Sequence, residues 1–304
     1  MSRRRPAPRP CPRRPLSAYG DGVIDVGAYL RRIGVRAEGP PSAESLRLLH
    51  RAHVESVPYE CLDIWLGRPT TVDPVESAAR ITRGRGGYCY HLNGAFALLL
   101  ETLGYRVARH VGGSQYDARS PAGADGGHLV LTVTGLPSAD NPGGGWMVDQ
   151  GLGDGLHEPL PLAEGVYRQG PFTYGLRPSQ AEPGGWRFDH DPRGTFLGLD
   201  FRPEPVQMSA FAAMHEFLST SPESGFVRVA TVQRRDATGV DIVRGLVLTR
   251  LGEREHTMIL ETERDYFEML ADVFALSLDD VTPTERAKLW RRLWTAHEQW
   301  SGLR

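Results

Sequence analysis

The stretch RGRGGYCYHLNGAFALLLETLG, residues 83–104, decides how the rest of the chain divides. Leu92, Phe96, Leu99, Leu100 and Leu103 recur at helical spacing and Gly104 marks a stop, which predicts an apolar helix with Cys89 in its first turn. Upstream the period stays helical. Val26, Tyr29, Leu30 and Ile33 share one face before Gly34, and Leu46, Leu49 and Val54 form a stripe that runs from Ser42, a candidate N-cap with Ser45 close behind, to Pro58. Downstream of Gly104 the period changes. YRVARHVGG, HLVLTVTG and GWMVDQGLG are short, rich in Val and Leu and separated by Gly, Pro, Asn and Asp, which predicts antiparallel strands, with LPSADNPGGG (136–145) as an elongated hairpin loop.

YRQGPFTYGLRP and WRFDHDPRG continue the β pattern, so the middle of the chain reads as a barrel or strongly curled sheet. Beyond it the types mix. MSAFAAMHEFLSTSP reads as helix, the run from Phe226 to Leu251 as strands turning at DATG, and RDYFEMLADVFAL as helix again. A last helix starts at Thr282, with Pro283 at its first position and Glu285 completing a capping box; Trp290, Trp294 and His297 read as packing residues on one of its faces.

Composition narrows the function classes. A chain of 304 residues, 40% hydrophobic and 24% charged, can form two or three packed units. No run of about 18 apolar residues exists, and the basic N-terminus is not followed by an apolar signal-peptide core, so a cytoplasmic location is expected, with no membrane partner. Residues 1–16 carry six arginines and five prolines without an acid, which predicts a disordered tail. Without those arginines the formal net charge of −2 becomes −8, which argues against a nucleic-acid partner. Cys11, Cys61 and Cys89 are odd in number and far apart, so neither a disulfide framework nor a paired-ligand metal site is expected.

A thiol at a helix N-terminus lies where free N–H groups and the helix dipole stabilise a thiolate. Gly86 and Gly87 suit such a placement by letting the backbone turn and leaving space beside the sulfur. A small buried cysteine with no chemistry fits the local sequence equally well. The downstream order favours the nucleophile. A thiolate needs a base and an acid that orients the base; His128 opens the strand HLVLTV and Asp149 ends the next, so a hairpin brings them together.

Taken in order, VPYE (57–60), RGGYC with Asn93, His128, VDQGLG (148–153) and STSPESGF (219–226) resemble the arylamine N-acetyltransferases over about residues 21–276. The resemblance implies an α+β fold with a papain-like cysteine triad: a helical bundle over 21–107 behind the tail of 1–20, a β-barrel over 108–208, and an α/β lid over 209–304. It implies a ping-pong reaction in which Cys89, served by His128 and Asp149, takes acetyl from acetyl-CoA and gives it to an aromatic amine or hydrazine. Acetyl-CoA is then a co-substrate, and no permanently bound cofactor or metal is implied. Gly126, Gly127, Thr220 and Ser224 match segments that border CoA, and the backbone N–H of Cys89 is a candidate oxyanion donor, a role worth roughly 3 kcal/mol. Arg85 and Glu60 match a structural ion pair.

Four positions depart from the family pattern: His91 replaces Glu, Cys61 replaces Asn, and Gln150 and Leu152 replace Val and Phe beside Asp149, where acceptor contacts are expected. A second reading is therefore an amide synthase using the same triad on an acyl carrier protein thioester, as in ansamycin macrolactam formation. A third is a non-catalytic binding protein on the same fold; the intact set Cys89, His128 and Asp149 argues against it.

Overall fold

The computed structural model describes residues 24–36 and 39–302. The predicted tail of 1–20, with Cys11, lies outside the described residues. Helices α1 (Val26–Arg32), α2 (Ala43–Ser56) and α5 (Cys89–Thr102) are the three that periodicity predicts. Ser42 caps α2 as expected, with Ser45 returning the bond in a capping box. Two further helices were not read from the sequence. α3 (Leu62–Leu66) is too short to show a period, whereas α4 (Pro74–Thr82) carries a legible start, an Asp73 cap bonded to the Val75 N–H with Pro74 at the first position.

The middle of the chain is an eight-stranded antiparallel sheet. Its strands are β2 (Arg106–Gln115), β3 (His128–Thr134), β4 (Trp146–Val148), β5 (Leu160–Pro161), β6 (Gly165–Gln169), β7 (Phe172–Pro178), β8 (Trp186–Asp189) and β9 (Gly198–Pro205), in the order β5-β4-β3-β2-β9-β8-β7-β6. The sheet curls into a nearly closed barrel. The Tyr167 hydroxyl on β6 spans the gap by donating to the carbonyls of Pro161 and Ala163 beside β5. β3 is buried on both faces, which explains its almost continuous apolar run. Leu129, Leu131 and Val133 pack with α5, while Val130 faces the barrel core of Phe172, Phe188 and Phe201.

A second sheet is built from both ends of the chain. β10 (Thr231–Asp236), β11 (Gly239–Arg244), β12 (Val247–Leu251) and β13 (Glu255–Ile259) form an antiparallel meander, and β1 (Tyr59–Glu60) joins it beside β10. That strand comes from within the helical segment. A 3-10 turn at Met208–Phe211, α6 (Ala212–Thr220) and the short α7 (Gly225–Arg228) lead into this sheet, so the first part of the run predicted as strand from Phe226 is helical. Helices α8 (Glu263–Phe274) and α9 (Pro283–Ser301) follow, and α9 starts with the Thr282–Glu285 capping box. Its buried face is Leu289 and Leu293. Trp290 reaches Tyr266, but Trp294 is 36% exposed, so the aromatic row stacks along the helix and only its first member meets the core.

Candidate active site

Cys89 is the first residue of α5, so its N–H and that of Tyr90 have no intrahelical acceptor, while the His91 N–H meets the Tyr88 carbonyl at 2.9 Å. His128 opens β3, and strand register carries the acid to it. Leu131 is opposite Val148 and Thr132 opposite Met147, so one further step sets Asp149 opposite Val130 and diagonal to His128 on the same face. The His128 Nε2 lies 2.7 Å from Asp149 Oδ2, which leaves Nδ1 as the ring nitrogen for Cys89. All three side chains are nearly dry: Cys89 is 2% exposed, His128 4% and Asp149 1%.

Burial alone would push the His128 pKa down. The Asp149 carboxylate and the Cys89 sulfur outweigh it and raise the pKa to about 10. A protonated imidazole is thereby held between the Asp149 carboxylate and the Cys89 sulfur. In the thiol form the sulfur reaches the Gly127 carbonyl, 3.8 Å away.

Asn93, one turn along α5, is the residue whose role sequence reasoning missed. Its Nδ2 donates to Asp149 Oδ1 at 2.7 Å and to the Leu129 carbonyl at 2.6 Å, and its Oδ1 accepts the Gln150 N–H at 2.7 Å. One amide thus ties α5 to β3, which His128 opens, and to the Asp149–Gln150 segment at the end of β4. The Gly151 N–H also donates to Asp149 Oδ1 at 2.9 Å. A Cβ at Gly151 would sit 2.5 Å from the Cys89 Cα, so only glycine lets this loop approach the helix start so closely. Behind the acid, His50 Nε2 accepts the Asp149 N–H at 3.4 Å, and burial lowers the His50 pKa to about 4, keeping it neutral and able to accept.

The segment before Cys89 is anchored by charge. Arg85 meets Asp63 at 2.8 Å, Glu60 at 3.5 Å and Asp280 at 3.0 Å, and Arg80 joins the same carboxylates of Glu60 and Asp63. The expected Arg85–Glu60 pair is therefore part of a larger ion cluster, buried at Glu60, Asp63, Arg80 and Arg85, and the exposed Asp280 ties it to Arg68 and to the last third of the chain. Burial opposes the charge on Arg85, but its three carboxylates dominate and raise its pKa. The turn itself uses Gly84, at φ 85°. Gly86 and Gly87 are needed for another reason than the one expected. A Cβ on Gly86 would lie 2.0 Å from the Pro58 carbonyl oxygen, and one on Gly87 would lie 2.5 Å from the His91 Cβ.

Cys89 and His128 open onto a cleft of about 480 Å³, walled by Tyr59, Tyr116, Leu152, Phe196, Phe217 and Phe226. Gly127 and Ser224 line it as well. Ser224 is buried and caps α7 through the Phe226 N–H. Gly126 and Thr220 stand outside the lining. The Gly126 carbonyl accepts from the Tyr90 hydroxyl at 2.5 Å, and the Thr220 hydroxyl donates to the Glu216 carbonyl at 2.7 Å.

The N-acetyltransferase family model matches residues 42–282. An arylamine N-acetyltransferase of Mycolicibacterium smegmatis is 32% identical over 278 residues, covering 85% of this chain and 94% of that protein. The chain belongs to the arylamine N-acetyltransferase family. A solved Mycobacterium marinum arylamine N-acetyltransferase in complex with CoA superposes with a TM-score of 0.78 at 26% identity, covering 88% of this chain and 98% of that one. The proansamycin X synthase of Amycolatopsis mediterranei is 36% identical over 152 residues, 48% of this chain and 56% of its own length.

As an acyltransferase of this family, the chain accommodates its four departures in different ways. His91 is structural. Its Nδ1 accepts the Tyr88 N–H at 3.3 Å, its ring packs edge-on against Tyr88, and burial holds its pKa well below the ordinary value, so it caps the helix start as a neutral group. Leu152 lines the cleft. Gln150 does not. Its side chain is buried with Asp149, Val54, Val57 and Tyr59 around a small second cavity. Cys61 packs under β10 and accepts the Thr231 N–H at 3.2 Å.

Proposed function

We propose that the chain moves an acetyl group from acetyl-CoA to an arylamine, arylhydroxylamine or hydrazine through an acyl-Cys89 intermediate. The observation that carries this reading is the 2.7 Å contact between His128 and Asp149 beside a buried thiol at a helix start, at the bottom of an aromatic cleft. In the first half-reaction the Cys89 thiolate attacks the thioester carbonyl, and the free N–H groups at the start of α5, that of Cys89 first, face the developing oxyanion. Collapse breaks the carbon–sulfur bond to CoA, and the departing thiolate takes the proton from His128. In the second, neutral His128 accepts the proton of the attacking amine, and collapse returns Cys89 as the thiolate. Asp149 holds the ring through Nε2 and balances its charge in both states. Gly127 and Ser224 border the path of the pantetheine arm, with Gly126 and Thr220 flanking it. We place the reaction in the cytoplasm, without nucleic-acid or membrane partners; no described helix is long and apolar enough to cross a membrane.

The similarity to proansamycin X synthase favours one second reading, an amide synthase that accepts the acyl group from a carrier-protein thioester. Intact-mass measurement separates the two. Acetyl-CoA alone should add one acetyl group, mapped to Cys89, and aminosalicylate or hydralazine should remove it with release of the acetylated amine. Absence of any adduct from acetyl-CoA, in protein whose Cys89 still alkylates with iodoacetamide, overturns the first reading and leaves the carrier-protein thioester to be tried.

A further inference from the structure

One wall of the cleft is a strand ladder that the triad does not use. Tyr59 is paired with Gln233 across β1 and β10, and Thr231 with Arg244 across β10 and β11. Residues directly opposite in antiparallel strands, and residues two apart on one strand, point to the same face. Tyr59, Gln233, Thr231 and Arg244 therefore share a face, and all four line the cleft that holds Cys89. Arg244 ends β11, just before the left-handed Gly245 at φ 59°. Among the described residues it is the only Lys or Arg in that lining.

Its guanidinium also differs from the other arginines set into the fold. Arg80, Arg85, Arg187 and Arg250 each meet a carboxylate within 3.0 Å. Arg244 is held in the sheet by its backbone, and among the described residues its guanidinium has no hydrogen bond or ion pair with a carboxylate. The cleft's own carboxylates leave it free: Asp125 accepts the Gly127 N–H at 2.8 Å, and neither Asp125 nor Glu223 pairs with it. Arg244 is exposed on the cleft wall, so its planar fork of donors is open to a carboxylate or phosphate that enters from solvent.

We propose that Arg244 is the anion anchor of the cleft, taking a carboxylate or phosphate carried by the molecule whose reacting carbon or nitrogen meets Cys89. Two sources share that chemistry: the pyrophosphate of a CoA-type thioester and a carboxylate on an aromatic acceptor. The assignment of these sources rests on the acyl-cysteine reading above; the anchor itself does not.

The test therefore starts with alkylation. Rates for the Cys89 peptide, followed by mass spectrometry with anionic iodoacetate and neutral iodoacetamide, are compared in the wild-type chain, Arg244→Gln and Arg244→Lys. The iodoacetate-to-iodoacetamide ratio should fall about fivefold or more in Arg244→Gln, with partial recovery in Arg244→Lys. Two substrate arms then name the source. Selective slowing of acylation by acetyl-CoA relative to acetyl-pantetheine assigns the pyrophosphate, and selective slowing of transfer to 4-aminobenzoate relative to its amide assigns the acceptor carboxylate. An unchanged alkylation ratio, or equal slowing of charged and neutral substrates in both arms, overturns the anchor. Failure of every thioester to acylate Cys89 overturns the acyl-cysteine reading, while the alkylation ratio still reports on Arg244.

Discussion

Cys61 and Cys89 stand in similar places and have opposite surroundings. Each lies at the start of a helix, Cys61 at the cap of α3 and Cys89 at the first position of α5, and each is 2% exposed. Around Cys61 the sulfur accepts one N–H, that of Thr231 at 3.2 Å, and otherwise meets the carbonyls of Thr231, Val229 and Phe226 at 3.6, 3.7 and 4.0 Å, which repel a thiolate. Burial pushes its pKa up to about 12, and the single Thr231 N–H does not reverse that. Cys89 has the same burial but faces an imidazole backed by a carboxylate. A helix N-terminus is therefore not enough to make a nucleophile. The deciding element is the proton carrier that a different part of the fold brings to it.

The widest separation between the two cysteines is expected from Cys89→Ala, which should abolish the covalent acetyl adduct in intact mass, while Cys61 takes up none. An adduct of unchanged stoichiometry in that variant would place the nucleophile elsewhere. Removing the backing of the imidazole should make Cys89 resemble Cys61. Asp149→Asn is expected to slow acyl transfer roughly 10³- to 10⁴-fold, read from single-turnover CoA release, because the ring loses its orientation and its counter-charge.

The same substitution has a pH signature. The folded pKa of His128, about 10, lies above its ordinary value, so its stabilising contribution is fully present below about pH 6.5 and is lost as pH rises through about 10. The excess stability of the wild-type chain over Asp149→Asn should accordingly shrink between pH 6 and pH 10.5 when followed by thermal unfolding. A gap that grows over that window contradicts the assignment of the charged pair.

Smaller effects sharpen the contrast. Asn93→Ala removes the amide that joins α5 to Leu129, Asp149 and Gln150 and should slow acylation about 10- to 100-fold, with a stability loss of about 1–3 kcal/mol in denaturant titration. A loss of stability with an unchanged acylation rate would make Asn93 only a structural tie. Smallest is Cys61→Ala, which vacates a packed site and the acceptor of the Thr231 N–H. It should lower stability by about 1–2 kcal/mol and leave the acylation rate within about twofold.

How far these features could be read without coordinates depends on their range along the chain. α2 and α9 were legible to the cap because Ser42–Ser45 and Thr282–Glu285 are local signals, and the hairpin of β3 and β4 needed only alternation and turn residues. α3 was not, since five residues show no period, and β1 was not, since two residues pair with a strand more than 170 positions away. Within the site, the pairing of His128 with Asp149 followed from the hairpin, whereas Asn93 gave no periodic signal as a polar residue in an apolar helix. Its three bonds reach across two other elements. Gln150 was misplaced because it lies in the bend after β4, where no strand alternation fixes the direction of its side chain.

By itself the sequence determined where helix gives way to strand around Gly104, which residues are candidates for the chemistry, and that Cys89 sits at a helix start; each is written in spacing and in local turn or cap residues. Tertiary structure alone decided that this cysteine meets an imidazolium while Cys61 meets carbonyls. It also decided that Gly151 admits the Asp149 loop against α5, and that Arg80, Arg85 and Asp280 close one ion cluster. Those outcomes depend on which distant groups share a dry volume, and only the packed chain sets the dielectric and the distances that govern them.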